Sequence, residues 1–168
     1  NFVINLSGKP QALRLDPYNE VFRILDKKEI PASIGQTFGA TEAMIVLPSL
    51  PEDEMFLGYR QFADSIIKRG NIKKTVLSDS KINLPPNVSL WVLGKNNEMQ
   101  KILVSHLNTL GIVLEVGGFR LNEGFFSFKE HSFVFTLPRF ENGKGTLTWL
   151  IASSKDVTPG LIRKLPHY

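Results

Sequence analysis

The sequence lacks cysteine, long apolar runs and long runs of one charge. The absence of cysteine excludes a disulfide scaffold, a cysteine-ligated metal site and a thiol nucleophile. The longest apolar runs, at residues 44–47 and 147–152, are far shorter than the roughly 18 residues that a membrane helix needs. The net charge of +4 is dispersed, and the densest basic patch, residues 68–74, is typical of a solvated helix end. We therefore expect no membrane span and no nucleic-acid partner.

The composition is that of an ordinary folded domain. With 168 residues, 42% hydrophobic and 21% charged, the chain is long enough to bury a core without metal or disulfide support. It begins at Asn1 and ends at Tyr168, just after a Leu-Pro-His sequence, which we interpret as a piece of a longer protein. We expect one domain, preceded by the end of another.

Residues 1–40 are predicted to close a preceding β domain and to connect it to the rest. Two short strand-like runs, residues 2–6 and 11–15, flank a Ser-Gly-Lys-Pro turn and predict a hairpin. A lone hairpin is marginal in water, so its exposed edges are a possible route to self-association. Residues 16–25 and 32–38 predict short helical turns, the second ending at Gly39.

Residues 41–168 alternate strand and helix patterns. Six strands are predicted, over residues 42–48, 72–77, 88–93, 112–116, 131–137 and 146–152. Helices are predicted over residues 51–69, 97–110 and 156–165, with Asn97 as a cap and Gly70 and Gly111 as stops. Glycine and phenylalanine residues after Val116 suggest a small antiparallel excursion. The alternation predicts an α/β domain: a three-layer, mostly parallel sheet, flavodoxin-like or Rossmann-like, with an antiparallel edge. The run Ile112–Val116 is expected to be one of its parallel strands.

No catalytic motif is present. The three histidines, His106, His131 and His167, each stand alone, and no His-Glu-x-x-His or Gly-x-Ser-x-Gly pattern occurs. His106 is expected at the boundary of the core, on the apolar side of its helix. Ser49 follows a buried strand, where a nucleophile could lie, but a polar residue opening a helix is the simpler interpretation. We therefore predict neither a catalytic residue nor a metal ligand.

One turn has the geometry of a ligand site. Gly94, Lys95, Asn96 and Asn97 join a buried strand to a helix N-terminus, where backbone N–H groups can bind an anion. A single glycine falls short of a phosphate-loop motif, so a plain strand-to-helix turn is the alternative. The phenylalanines after Gly118 could likewise form a binding face or simply pack.

Two segments resemble a known family. The first resembles a segment just downstream of the catalytic part of large bacterial zinc aminopeptidases. The residues that carry this resemblance are Leu15-Asp16-Pro17, residues 21–25, Glu29-Ile30-Pro31 and residues 38–40. Residues 159–168 resemble the end of the non-catalytic α/β accessory region in the same proteins. The resemblance implies an exported, periplasmic or cell-surface metallopeptidase of the aminopeptidase N type, whose zinc belongs to the parent protein and not to this piece. Its zinc motif has no match here, so no catalytic residue is carried over.

Three hypotheses follow. The first is a non-catalytic accessory or interdomain domain whose partners are neighbouring domains of the same polypeptide. The second is a small-ligand or phosphate-binding α/β module that uses the Gly94 turn. The third, an independent hydrolase with a dispersed site, has the least support, because no nucleophile and base are clustered.

Overall fold

A computed structural model describes residues 29–49, 54–69, 73–78, 85, 87–139 and 145–168, and scattered positions before residue 29 (3, 5–11, 13, 16, 18, 20–21 and 24–25). For residues 73–78 it describes the backbone. The predicted hairpin over 2–6 and 11–15 and the helical turn over 16–25 fall mostly outside these ranges. So do the predicted helix start at 51–53 and its stop at Gly70.

Eight strands and four helices make up the described chain. The strands are β1 (Glu42–Leu47), β2 (Lys73–Ser78), β3 (Ser89–Leu93), β4 (Ile112–Glu115), β5 (Gly118–Leu121), β6 (Gly124–Ser127), β7 (Phe133–Pro138) and β8 (Thr146–Ile151). The helices are α1 (Ile34–Phe38), α2 (Glu54–Arg69), α3 (Gln100–Thr109) and α4 (Thr158–Lys164), with 3-10 turns at Lys155–Val157 and Leu165–His167. No described helix is both long enough and apolar enough to cross a bilayer.

The main sheet has the strand order β2-β1-β3-β8-β7. The first four strands are mutually parallel, and β7 pairs antiparallel with β8 at the edge. Strands β4, β5 and β6 form a separate antiparallel sheet. The predicted α/β class, with a mostly parallel sheet and an antiparallel edge, is confirmed.

The predicted place of Ile112–Val116 in the parallel sheet is wrong. This run forms β4, which pairs antiparallel with β5, while β8 supplies the fourth parallel strand. The physical reason lies in the connection: only two residues separate β4 from β5, and Gly117 has φ +85°. So short a loop permits a hairpin but not the crossover that parallel pairing requires.

The parallel sheet is buried on both faces, because successive strand residues point to opposite sides. On one face Ile45, Trp91 and Leu150 pack with α2 and with residues of α1 and α4. On the other face Val92 and Trp149 pack with α3 and with the second sheet. The side chains of Ile45 and Trp91 are fully buried, as their apolar runs predict.

The two long helices show where periodicity succeeds and fails. In α2, Tyr59, Phe62 and Ile66 recur at steps of three and four residues, which predicts one apolar helical face, and all three are buried. In α3, Leu103 and Leu107 are buried, but Ile102 and Leu110, which the apolar pattern would also place on the core side, are exposed. His106 is exposed as well, so its expected place at the boundary of the core is wrong. The reason is that α3 has only ten residues and packs on the sheet along one narrow stripe, which contains Leu103 and Leu107 with Val104 partly buried beside them.

Helix α1 is attached to the sheet by hydroxyl groups. Ser33 and Gln36 form a capping box at its start. The buried Thr37 Oγ1 lies 2.7 Å from Oγ1 of both Thr146 and Thr148 in β8. The same network continues to Ser89 Oγ and Thr136 Oγ1. A five-residue helix is not stable by itself, so these contacts and its apolar side chains fix its position.

Candidate ligand-binding cleft

The strand order creates a crevice between β1 and β3. Strand β1 lies between β2 and β3, so the chain leaves β1 toward one edge of the sheet and leaves β3 toward the other edge. Helix α2, after β1, packs on one face of the sheet, and α3, after β3, packs on the other. In open α/β sheets, ligands bind where the strand order reverses, outside the carboxyl ends of the strands. The turn that contains Gly94 follows β3 at this position.

Gly94 is held in place by its backbone. Its N–H donates to the Leu150 carbonyl at 2.8 Å, and its carbonyl accepts from Trp149 Nε1 at 2.8 Å. Its φ of +82° favours glycine, and a Cβ here would lie 2.8 Å from Pro48 Cγ. The N–H of Gly94 is therefore bonded to β8, and this glycine shapes the turn instead of supplying a donor to a ligand.

Asn97 connects the turn to α3. The Asn97 side chain is buried; its Oδ1 accepts from the Met99 N–H at 3.0 Å, and its carbonyl accepts from the Gln100 N–H at 2.9 Å. The predicted cap at Asn97 is wrong: α3 begins at Gln100, its N-cap residue is Met99, and no side chain caps it. The reason is that the turn is longer than expected, so the Asn97 side chain bonds within the turn, before the helix starts. Its side chain orients the turn and does not line the cleft.

A cavity of about 160 Å³ opens beside the turn. Three of the four predicted residues, Gly94, Lys95 and Asn96, line it. The remaining lining comes from the segment after β1, from α2, from the residues after β6 and from the end of β8: Pro48, Met55, Tyr59, Phe128, Lys129, Ile151, Ala152 and Ser153. Residues from five parts of the chain therefore meet at the carboxyl edge of the sheet.

The charge at this cleft is positive and its walls are partly aromatic. Lys95 Nζ lies 5.5 Å from the centre of the Phe128 ring, within cation–π range. Lys129 is exposed at the same opening. Deeper in, the Tyr59 hydroxyl accepts from the Ala152 N–H at 3.1 Å. Two ammonium groups and an apolar interior suit a small anion with a planar or apolar part.

The other candidate residues do not come together. Ser49, His106, His131 and His167 are all exposed. The His131 ring packs against Phe126, with Nδ1 3.3 Å from the Ser127 carbonyl. Within the described ranges, no group of three His, Cys, Asp or Glu residues could hold a metal ion.

Sequence reasoning missed the far wall of the cleft. Tyr59 looked like one more core position of α2, and Phe128 and Lys129 follow β6, far along the chain from the Gly94 turn. Only the packing of the second sheet against β8 and α3 brings them near. Basic and aromatic neighbours at residues 128–129 were the one local signal available.

Comparison with known proteins adds no assignment, because no family model, curated protein or solved structure matches this chain.

Proposed function

We propose that this chain is a non-catalytic accessory domain of a bacterial zinc aminopeptidase, periplasmic or at the cell surface, which holds neighbouring modules in a fixed relation. The family, the location and the zinc of the parent rest on the resemblance of residues 15–40 and 159–168. The structural observation that supports this interdomain role is the proximity, among the described residues, of helix α1 to the last helical turn, Leu165–His167.

That proximity is direct. Helix α1 contacts the turn Leu165–His167, and the Tyr168 backbone carbonyl lies beside Gly35. Helix α1 is in turn fixed to β8 through Thr37. Modules attached through either segment would therefore adjoin the same rigid part of the domain. Such an arrangement is typical of domains that are inserted between others or joined to them.

The test uses the catalytic module encoded beside this chain, expressed separately and mixed with the full 168-residue chain. We expect binding in trans that Gly35→Arg weakens, since Gly35 is exposed in α1 with room for a side chain. Ile102→Arg, on exposed α3, is the matched control and should leave binding unchanged. A neighbouring reading frame without a zinc-peptidase motif, or near one zinc per chain together with aminopeptidase activity in this chain alone, would contradict the proposal.

A second candidate function is the binding of a small anion, such as a phosphate or a phosphorylated metabolite, at the Gly94 cleft. It is favoured by the strand order, in which β2-β1-β3-β8 follows the first four positions of a flavodoxin-like sheet. As part of this second proposal, we infer that the domain has a three-layer, flavodoxin-like fold. Lys95 and Lys129 would supply the positive charge.

Amide NMR with inorganic phosphate and with a mononucleotide distinguishes this candidate. We expect shifts confined to residues 94–97 and 128–129, lost in the double variant Lys95→Gln/Lys129→Gln. Lys101→Gln, an exposed lysine of α3, is the matched control. No shift across a panel of anions would reject ligand binding at the cleft and leave the accessory role untouched.

A further inference from the structure

Strand β7 forms one edge of the main sheet. Among the described residues its one strand neighbour is β8. Its sequence, Phe-Val-Phe-Thr-Leu-Pro, contains no charge, and its proline stands at the very end. Soluble proteins normally protect such edges with lysine, central proline or a bulge, because unpaired backbone groups invite another strand. The opposite edge strand, β2, begins with two lysines.

A large apolar groove lies along this edge. It has a volume of about 870 Å³, and β7 contributes Ser132 just before its start, Val134 and Thr136 to its wall. Helix α4 and its flanking turns form the other wall, with Val157, Leu161 and Leu165, and Ala32 and Ile34 at the start of α1 also line the groove. The groove therefore lies over the face of β7 that is turned toward α1 and α4, at the edge of the sheet.

Helix α4 runs in the same direction as β7. Lys155 Nζ lies 3.6 Å from Glu54 Oε1 at the start of α2, which places the beginning of α4 at the carboxyl edge of β8. The turn after α4 contacts α1, which is bound to the first residue of β8. Because α4 and β7 are both antiparallel to β8, they run parallel to each other.

The groove consequently has an acidic and a basic end. Asp156, before α4, lies at the Ser132 end, and Arg163 and Lys164, in the last turn of α4, lie at the Thr136 end. All three charged side chains are exposed. An antiparallel copy of the same groove would present the reverse order of charge.

We propose that β7 pairs antiparallel with β7 of a second copy about a two-fold axis near Val134, joining two five-stranded sheets into one. The antiparallel register brings Asp156 to the partner's Arg163 and the partner's Lys164, and the symmetry repeats this contact. Such an interface is isologous: the same surface serves both copies. This inference does not depend on the proposed function.

Helix α4 leaves room for the partner's helix. Gly160 faces the groove, and a Cβ built there meets no heavy atom within 4 Å. The partner's α4 can therefore approach closely at this position and cover Val134 and Leu161. Burying these side chains supplies the apolar part of the interface, and the charges set its direction.

The test measures the mass of the full chain by sedimentation equilibrium across micromolar to near-millimolar concentration. We expect a species of twice 18.9 kDa. Asp156→Lys alone, or Arg163→Glu/Lys164→Glu alone, places like charges together at both contacts and should weaken dimerisation by roughly tenfold or more. An equimolar mixture of these two variants restores opposite charges at both contacts, so the heterodimer should form with the original affinity.

Ile102→Glu on α3 is the control and should leave the dimer intact. Because the charge variants are exposed, loss of folding does not complicate them, and circular dichroism verifies this. A monomer at every concentration would overturn self-pairing and leave the groove to another partner. A dimer insensitive to all three charge positions, or a mixture that fails to associate, would place the interface elsewhere and equally overturn the proposal.

Discussion

Replacing Thr37 with valine removes one hydroxyl from a buried network and nothing else of consequence. Valine keeps the shape of threonine, and the two have similar helix propensities. Thr37 is fully buried and its hydroxyl makes two contacts of 2.7 Å, to Thr146 and Thr148. The substitution therefore isolates the hydrogen bonds that join α1 to the sheet.

The size of the stability loss depends on the hydrogen bonds that remain after the substitution. A net hydrogen bond contributes about 1 kcal/mol, so two contacts give an upper figure of about 2 kcal/mol. Thr146 keeps Ser89 Oγ at 3.2 Å and Thr148 keeps Thr136 Oγ1 at 3.1 Å, so neither hydroxyl loses its last partner. The larger penalty for an orphaned buried group is avoided, and we expect a loss of about 1–2 kcal/mol.

Urea unfolding followed by circular dichroism measures the loss as a lower midpoint with an unchanged slope. Thr109→Val makes the same chemical change at an exposed position, where the hydroxyl bonds to the His106 carbonyl. It should cost less than about 0.5 kcal/mol. In Thr148→Val the further change Thr37→Val should cost less than it does alone. A loss at Thr37 no greater than at Thr109, or strictly additive costs, would refute the role of the network.

Four further outcomes are expected. Trp91→Ala, at a fully buried ring, should cost about 3–5 kcal/mol in the same assay; a loss under about 0.5 kcal/mol would show that β3 is not core. Gly94→Ala, which combines a positive φ with a 2.8 Å approach to a side chain, should cost about 1–3 kcal/mol, and a neutral result would contradict the turn geometry. Hydrogen bonds from Arg120 hold the pKa of Glu115 below its ordinary value. Because the pKa is lowered in the folded state, the pair stabilises the fold at pH above the unfolded-state pKa, and this stability is lost as the pH falls through the folded-state pKa. Arg120→Met removes the hydrogen bonds and should therefore raise the Glu115 pKa in a carboxyl NMR titration. An unchanged pKa would exclude the Glu115–Arg120 pair in solution. Deleting residues 1–15 should leave the melting temperature nearly unchanged, whereas global unfolding would show that this segment is integral to the domain.

Local patterns predicted the elements well because each carries its own signal. The uninterrupted apolar runs of β1 and β3 are those of strands buried on both faces, and both are. In α2 the steps from Tyr59 to Phe62 and Ile66 match one helical face, and all three are buried.

Pairing between distant strands was less accessible. Ile112–Glu115 looks as apolar as a parallel strand, and only the short loop through Gly117 indicates a hairpin. The sequence of β8 alone does not indicate that one of its edges pairs with β3 and the other with β7. The cleft shows the same division: the Gly94 turn is visible in the sequence, whereas its wall at Phe128 depends on how the second sheet packs.

The position of β8 also determines when the domain can complete itself during synthesis. Strand β3 pairs with β1 on one side, and on its other side it pairs with β8, which is synthesised much later. Ser89 in β3 lies 57 residues before its partner Thr146 in β8. The hydrogen bonds of helix α1 span an even longer stretch of chain, since Thr37 bonds to residues 109 and 111 positions away. Contacts of such separation form slowly, because the loop entropy is lost before the contact forms. In a ribosome-bound chain that stops before residue 146, β3 therefore lacks its second neighbour, and α1 can pack on β3 through Phe38 but lacks its hydrogen bonds to the sheet. We expect the emergence of β8 to complete the fold of the domain.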